Sequence, residues 1–305
     1  MNMLERGELQ ESAPIAGEVA QIIESRRPLF VALFLHDICK GRGGRHAELG
    51  GELALSLCPR FGLDGVETDL VSWLVYEHLL MSDTAFRRNL NDPKTIADFS
   101  ARIRTKERLD LLFCLTTADI MGVGPDRWTA WKARLLEELY LKTRALMDGE
   151  EPGMMAELTI PAYYIPGETR IDITIDEKQS ATVVMVYMPD RPGLFATLCG
   201  ALSAEGANIM RAYINTIEGT KIAADRFIIQ NATGLPFRQD HRQEDLRATI
   251  MAALDGTLDI DARIAQHRVP PTKKDLVFDI PPKIRIDNMA SGGDTVLEIE
   301  TRDRH

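Results

Sequence analysis

Apolar residues in the first half of the chain recur at helical spacing, in stretches at residues 29–40, 47–57, 68–81, 106–120 and 127–147. Pro28 stands where helices favour proline, at a start, and Gly41-Arg42-Gly43-Gly44 is a glycine-rich stop. Asn91-Asp92-Pro93 marks a turn, and no segment up to residue 150 sustains period-2 alternation. An all-α first half is predicted. Pro152, Pro161, Pro166 and Gly167 break any long helix over 151–180, a linker in which Arg170–Asp176 nevertheless alternates like a strand. Beyond it the pattern predicts a strand at 182–188, a turn at 189–193, a helix at 194–205 and a strand at 208–216. A hairpin at Glu218-Gly219, a strand at 221–230, a helix at 242–254 and a strand at 259–266 follow. That order is β-α-β-β-α-β, in which two helices cover one face of an antiparallel sheet. The predicted fold class is therefore α+β and multidomain: helices over 1–150, a linker over 151–180, a ferredoxin-like module over 181–268 and a tail over 269–305.

The tail repeats part of the module. Thr182-Val183 precedes Asp190-Arg191 by the same eight residues that separate Thr295-Val296 from Asp303-Arg304, and an Ile-Asp step precedes each, at Ile175-Asp176 and Ile286-Asp287. The expectation is that a second copy of the module begins here and stops after its first strand. A lone strand cannot bury a face, so the chain reads as an interior slice of a larger protein.

Composition narrows the classes. The 305 residues carry Lys+Arg 36 against Asp+Glu 46, a net charge of −10, which argues against general nucleic-acid binding. No run approaches the ~18–20 apolar residues of a membrane span and the polar N-terminus lacks a signal pattern, so a cytoplasmic protein is expected. Cys39, Cys58, Cys114 and Cys199 are widely spaced, without the pattern of a zinc cage or disulfide framework.

Polar residues interrupt the apolar runs. His36 and Asp37 break L-F-V-A-L-F-L-H-D-I, His78 breaks W-L-V-Y-E-H-L-L, and Asp119 breaks L-L-F-C-L-T-T-A-D-I. A single histidine of this kind is ordinarily a hydrogen-bonded core residue, but a carboxylate in such a run needs a partner. Convergence on a shared cation satisfies all of them, and imidazole with carboxylate suits a divalent transition metal, Mg or Mn. His46, just past the glycine loop, can join the group. Lys40 is either a helix C-terminal cation or a phosphate contact, while His241 and His267 read as surface residues.

The string L-F-L-H-D-I-C-K-G-R-G-G-R-H-A-E-L-G resembles the core of the HD superfamily of metal-dependent phosphohydrolases. With W-L-V-Y-E-H-L-L-M-S, T-T-A-D-I-M-G-V-G-P-D-R-W-T-A-W-K and D-R-P-G-L-F, the whole chain resembles the C-terminal part of the bifunctional PII uridylyltransferase/uridylyl-removing enzymes of nitrogen regulation. The second-half module resembles an ACT domain, an amino-acid sensor. The resemblance implies metal ligands at His36, Asp37, His46, His78 and Asp119, with Asp37 and Lys40 catalytic and Lys40 on the substrate phosphate. It implies hydrolysis of UMP from a tyrosine of PII, a divalent metal (Mg or Mn) as cofactor, and glutamine held by Asp190, Arg191, Gly193, Leu194 and Asn208, with Asn208 facing the D-R-P-G turn. Two departures stand out: residues 1–35 lack the histidine that opens the HD pattern, and the Gly-Ser and paired-Asp site of uridylyl transfer is not in this sequence. Two other readings compete: a non-catalytic amino-acid-binding fragment, and a nucleotide phosphohydrolase with an ACT sensor.

Overall fold

The computed structural model describes residues 13–42, 45–124, 127–151, 153, 159–217, 219–267, 281–292 and 295–301. The chain divides into two compact units, Met1–Met155 with Ile284–Glu298, and Ala156–Lys283 with Ile299–His305. Among the described residues no helix is long and apolar enough to cross a membrane.

The first unit is helical: α1 (Pro14–Ile22), α2 (Arg27–Leu35), α3 (His46–Leu57), α4 (Gly65–Tyr76), α5 (Leu80–Arg87), α6 (Pro93–Ile103), α7 (Lys106–Val123) and α8 (Ala130–Met147). Helix α7 is its hub. It packs against α1, α2, α4, α5, α6 and α8, and Leu109, Leu111, Leu112, Phe113, Cys114 and Leu115 are all buried on it, as expected of a helix apolar on every side. Capping fixes where helices start. Asp64 and Glu67 form a reciprocal capping box at α4, and the Asp92 carboxylate accepts from the Lys94 N–H at α6. The turn read at Asn91-Asp92-Pro93 is thus also the start of α6, which buries Ile96, Phe99 and Ile103.

Two expected helices are shorter than the apolar runs that signalled them. Helix α2 stops at Leu35, and residues 36–40 continue as tight turns, with Ile38 N–H on Leu35 O (3.0 Å) and Lys40 N–H on Asp37 O (2.9 Å). The run at 68–81 breaks at Glu77-His78-Leu79, between α4 and α5. Both breaks fall on the polar residues singled out above, because short-range bonds replace the regular ladder there and turn those side chains off the helix faces.

Small residues bring α3 and α4 together. A methyl group at Gly51 would lie 3.0 Å from Tyr76 Cβ and 3.1 Å from Ser72 O, and one at Gly50 would lie 2.9 Å from Val75 Cγ1. Ser72 Oγ also donates to Gly51 O at 2.8 Å.

The second unit contains β1 (Arg170–Asp176), β2 (Ala181–Pro189), α9 (Leu194–Ala204), β3 (Asn208–Tyr213), β4 (Ile222–Gln230), α10 (Asp240–Leu254) and α11 (Ile260–His267). Its four strands lie in the order β1-β2-β4-β3, each pair antiparallel. Val184, Val186, Met188, Phe227 and Ile229 form the core with Leu198 and Leu202 of α9 and Leu246 and Ile250 of α10. The β-α-β-β-α-β order needs correcting at both ends. The expected last strand at 259–266 is helix α11, and β1, which falls in the expected linker, pairs with β2 over seven residues from Arg170↔Tyr187 to Asp176↔Ala181. Ile260, Ala262 and Ile264 fit a period of two, but the Asp259 carboxylate caps the Ala262 N–H at 2.9 Å and starts a helix. Ile260 then seats against Gly200 of α9, where a methyl group would lie 2.8 Å from its Cγ2.

In the tail, β5 (Lys283–Asp287) pairs with β6 (Val296–Glu300). The repeated motifs fall at equivalent places: Ile-Asp ends β1 and β5, and Thr-Val opens the strand that follows each. The tail thus holds two paired strands where a single strand was expected. Gly43, Gly44, Glu218, Asp303 and Arg304 lie outside the described residues.

The close contact at Gly51 predicts that Gly51→Ala destabilises the helical unit by about 1–3 kcal/mol, since Ser72 and Tyr76 oppose it with backbone and Cβ atoms. Urea unfolding of the chain measures this, and an unchanged midpoint would contradict the α3–α4 packing.

Candidate functional site

The turn after α2 carries His36 and Asp37, the first residue of α3 is His46, the break between α4 and α5 carries His78, and α7 carries Asp119. Four separate elements thus deliver the five side chains to one place. His36 Nε2 lies 3.2 Å from Asp119 Oδ1 and 3.8 Å from Asp37 Oδ2, and His46 Nε2 lies 3.6 Å from Asp37 Oδ1. The His78 ring stands 5.4 Å from that of His36 and 5.3 Å from that of His46, centre to centre. One ligand atom from each of Asp37, His46 and His78 falls within 4.8 Å of the others. His36 with Asp119 forms an adjoining pair. Lys40, largely exposed, donates to Asp37 Oδ2 at 2.6 Å.

The backbone fixes how two of these rings present themselves. His36 Nδ1 is 2.8 Å from Leu33 O, and His78 Nδ1 is 2.7 Å from Val75 O. A carbonyl only accepts, so each Nδ1 carries the hydrogen and each neutral ring keeps its lone pair on Nε2. A carbonyl on Nδ1 of this kind fixes a ring so that its Nε2 can ligate a metal. His36 Nε2 then meets Asp119 Oδ1, acceptor against acceptor, unless a proton or metal ion is shared between them. The donor set, imidazole nitrogens and carboxylate oxygens, fits a divalent cation.

Protonation follows the same geometry. The Asp119 hydrogen bond, working against burial, holds the His36 imidazolium above the usual histidine range. Burial pushes the nearly inaccessible His78 down, favouring the neutral form that a metal needs. Burial pushes the Asp37 carboxyl up, but Lys40 and His36 outweigh it and the net direction is down. The hydrogen bond from Lys40 to Asp37 pushes the ammonium up.

In the second unit the D-R-P-G turn joins β2 to α9. Asp190 N–H bonds Lys221 O at 2.7 Å, and its carboxylate accepts from Thr216 Oγ1 at 2.6 Å. Gly193, at φ +80°, opens α9 without a side-chain cap. Arg191 donates to Leu254 O at the end of α10, and the Leu194 side chain is buried in the core. Asn208 does not reach this turn. It pairs with Gln230, whereas Pro189 pairs with Ile222, eight residues away along β4. The expectation that Asn208 faces the turn is wrong within one module, because the eleven-residue α9, about 16 Å long, carries the chain to the opposite end of the sheet before β3 begins.

Comparison with known proteins finds a family match in each of the two units. The HD-domain family matches residues 10–121 and the ACT-domain family matches residues 182–236. The chain pairs an HD domain with an ACT domain. It is 36% identical to the bifunctional uridylyltransferase/uridylyl-removing enzyme of Gluconobacter oxydans, in an alignment that takes in all of this chain and 37% of the relative. The corresponding enzyme of Azospirillum brasilense is 37% identical over all of this chain and 38% of its own length, and that of Cereibacter sphaeroides 38% over 99% and 37%. The chain thus spans less than two fifths of these relatives. No solved structure matches it.

The ACT domain holds one group that the sequence reading did not single out. Asp225, on the helix-covered face of β4, is 1% exposed and accepts only one described hydrogen bond, from Asn215 N–H at 3.3 Å. Burial, with a smaller contribution from Asp190, pushes its carboxyl up to about 6, and burial beside Asp225 likewise pushes the Cys199 thiol up. The period-2 pattern of β4 carries the signal: Ala223, Phe227 and Ile229 place residue 225 on the core face.

A carboxyl raised in the folded state contributes stability below the ordinary value of 3.8 and loses it as pH rises through about 6. Asp225→Asn removes that loss. The stability of the variant relative to the parent chain should therefore rise by about 2–3 kcal/mol between pH 4 and pH 8. Urea unfolding at both pH values checks this, and a pH-independent difference would contradict the buried charge.

Proposed function

We propose that the HD domain hydrolyses the phosphodiester joining UMP to a tyrosine of a PII signal protein, with Mg or Mn as cofactor. The ACT domain in this reading senses glutamine. One observation carries the catalytic half: Nε2 lone pairs of His36 and His78, fixed by backbone carbonyls, converge with His46 and the carboxylates of Asp37 and Asp119. These five residues would hold the metal. When bound, the cation supplies a water of lowered pKa and polarises a phosphoryl oxygen.

The protein's own groups account for the rest. Asp37 uses one oxygen toward His46 and the other toward Lys40, so it orients the lysine at the edge of the site. The Lys40 ammonium is exposed enough to pair with a substrate phosphate and offset its charge. The products are UMP and a free tyrosine hydroxyl, water supplying the oxygen and the proton. In the ACT domain, the uncapped first turn of α9 after Gly193 offers backbone N–H groups to the glutamine carboxylate, and Asp190 offers its carboxylate to the ammonium. Arg191 holds the turn to α10 through Leu254 O, and the buried Leu194 anchors the helix start.

The full chain, supplied with uridylylated PII and Mn or Mg, should release UMP, and EDTA should abolish the release. Asp37→Asn should lower kcat by about 100-fold or more, and Asp190→Ala should remove the response to glutamine while leaving the basal rate. UMP release at the parent rate from both Asp37→Asn and His78→Ala would overturn the catalytic reading.

A further inference from the structure

Beside the His/Asp cluster the first unit carries a half-open cleft of about 560 Å3, and His46 lines it. That volume lies within the ~300–1,000 Å3 of small-molecule sites. Its wall is rich in arginine, and most of the charge is already matched. Arg45 pairs with Glu48 at 2.8 Å, Arg102 with Glu77 at 2.6 Å, and Arg87 with Asp83 at 3.5 Å and Glu298 at 3.2 Å. Arg285, in the same compact unit, also pairs with Glu298, at 3.5 Å. The half-buried Arg88 is different: among the described residues its guanidinium has no hydrogen-bond or ion-pair partner.

Arg88 is also held in place. Its N–H bonds Thr84 O at 3.1 Å at the end of α5, and the next turn is clamped by the buried Lys142, which donates to Leu90 O (3.0 Å) and Asn91 Oδ1 (2.8 Å). The opposite resource on the wall is Tyr76, a partly exposed ring at the end of α4. One uncompensated guanidinium, one accessible aromatic face and one shared metal-ligand histidine match a small anion carrying a flat ring. They do not match an acidic peptide, which would need several free cations.

We infer that this cleft is the uridine 5′-phosphate subsite, with Arg88 donating to phosphate oxygens and Tyr76 stacking on the base. The inference rests on the uridylyl-removing reading for its ligand. It adds two residues, Arg88 and Tyr76, that determine which diester is accepted.

Equilibrium binding of UMP and of uridine to the full chain in EDTA tests this without turnover. Arg88→Ala should weaken UMP by about 10- to 100-fold and leave uridine unchanged, with partial recovery in Arg88→Lys. Tyr76→Ala should weaken both by about 5- to 100-fold. Circular dichroism verifies that each variant is folded, and Arg88→Lys supplies the comparison if Arg88→Ala is not. Unchanged UMP affinity in Arg88→Ala, or in Arg88→Lys if only that variant folds, overturns the subsite. So does a raised KM for uridylylated PII with UMP affinity intact, which would place the PII segment in the cleft instead. UMP binding that depends on Arg88 in a chain unable to hydrolyse uridylylated PII would leave the subsite standing and remove the uridylyl-removing reading. Hydrolysis with unchanged UMP affinity would do the reverse.

Discussion

The helical unit is organised around lone pairs that face one another. Imidazole nitrogens of His36 and His78 are turned inward by their own backbone carbonyls, toward carboxylates of Asp37 and Asp119 that can only accept. Acceptors set this close in an apolar bundle repel unless a cation or protons lie among them. Much of the surrounding structure serves that arrangement. The breaks after α2 and α4 release the histidines from regular helix, Gly50 and Gly51 let α3 approach α4, and the Arg102–Glu77 pair fixes the residue next to His78. Helix α7 supplies Asp119 from its last turns, just past the buried Leu115–Thr117 stretch, where the carboxylate is partly exposed and meets His36.

The ACT unit solves a different problem, closing a four-stranded sheet. Its outer place beside β2 is taken by β1, which precedes the module, so α11 is free to pack on α9 through Gly200. The tail strands β5 and β6 pair separately from this sheet. Within the module, β4 places the buried Asp225 on the core face, and the chain beside its first residues brings Thr216 to Asp190, so the polar groups around the D-R-P-G turn come from the middle of the module rather than from Asn208.

Most of this was legible in the sequence, and the exceptions have physical reasons. Helices and strands were visible wherever an apolar face had one period, as in α7 and β2. The 259–266 segment carried both periods, and the decision came from a cap at Asp259 and a glycine sixty residues away. Helix α6 was hidden because Pro93 signals a turn and a helix start with the same residue. In the site, His36, Asp37, His78 and Asp119 announced themselves by interrupting apolar runs, while His46 was reachable only through its place after the glycine loop. Arg88 and Tyr76 gave no such signal. An arginine at a helix end is unremarkable until the fold shows that its neighbours are paired and it is not.

If the converging residues form a divalent-cation site, the metal-free chain binds such an ion directly. Titration of the metal-free chain with Mn, followed by the loss of free-ion electron paramagnetic resonance signal, should show stoichiometric binding that is lost in His78→Ala. A chain that takes up no Mn, or a His78→Ala variant that binds it as the parent does, would contradict the account.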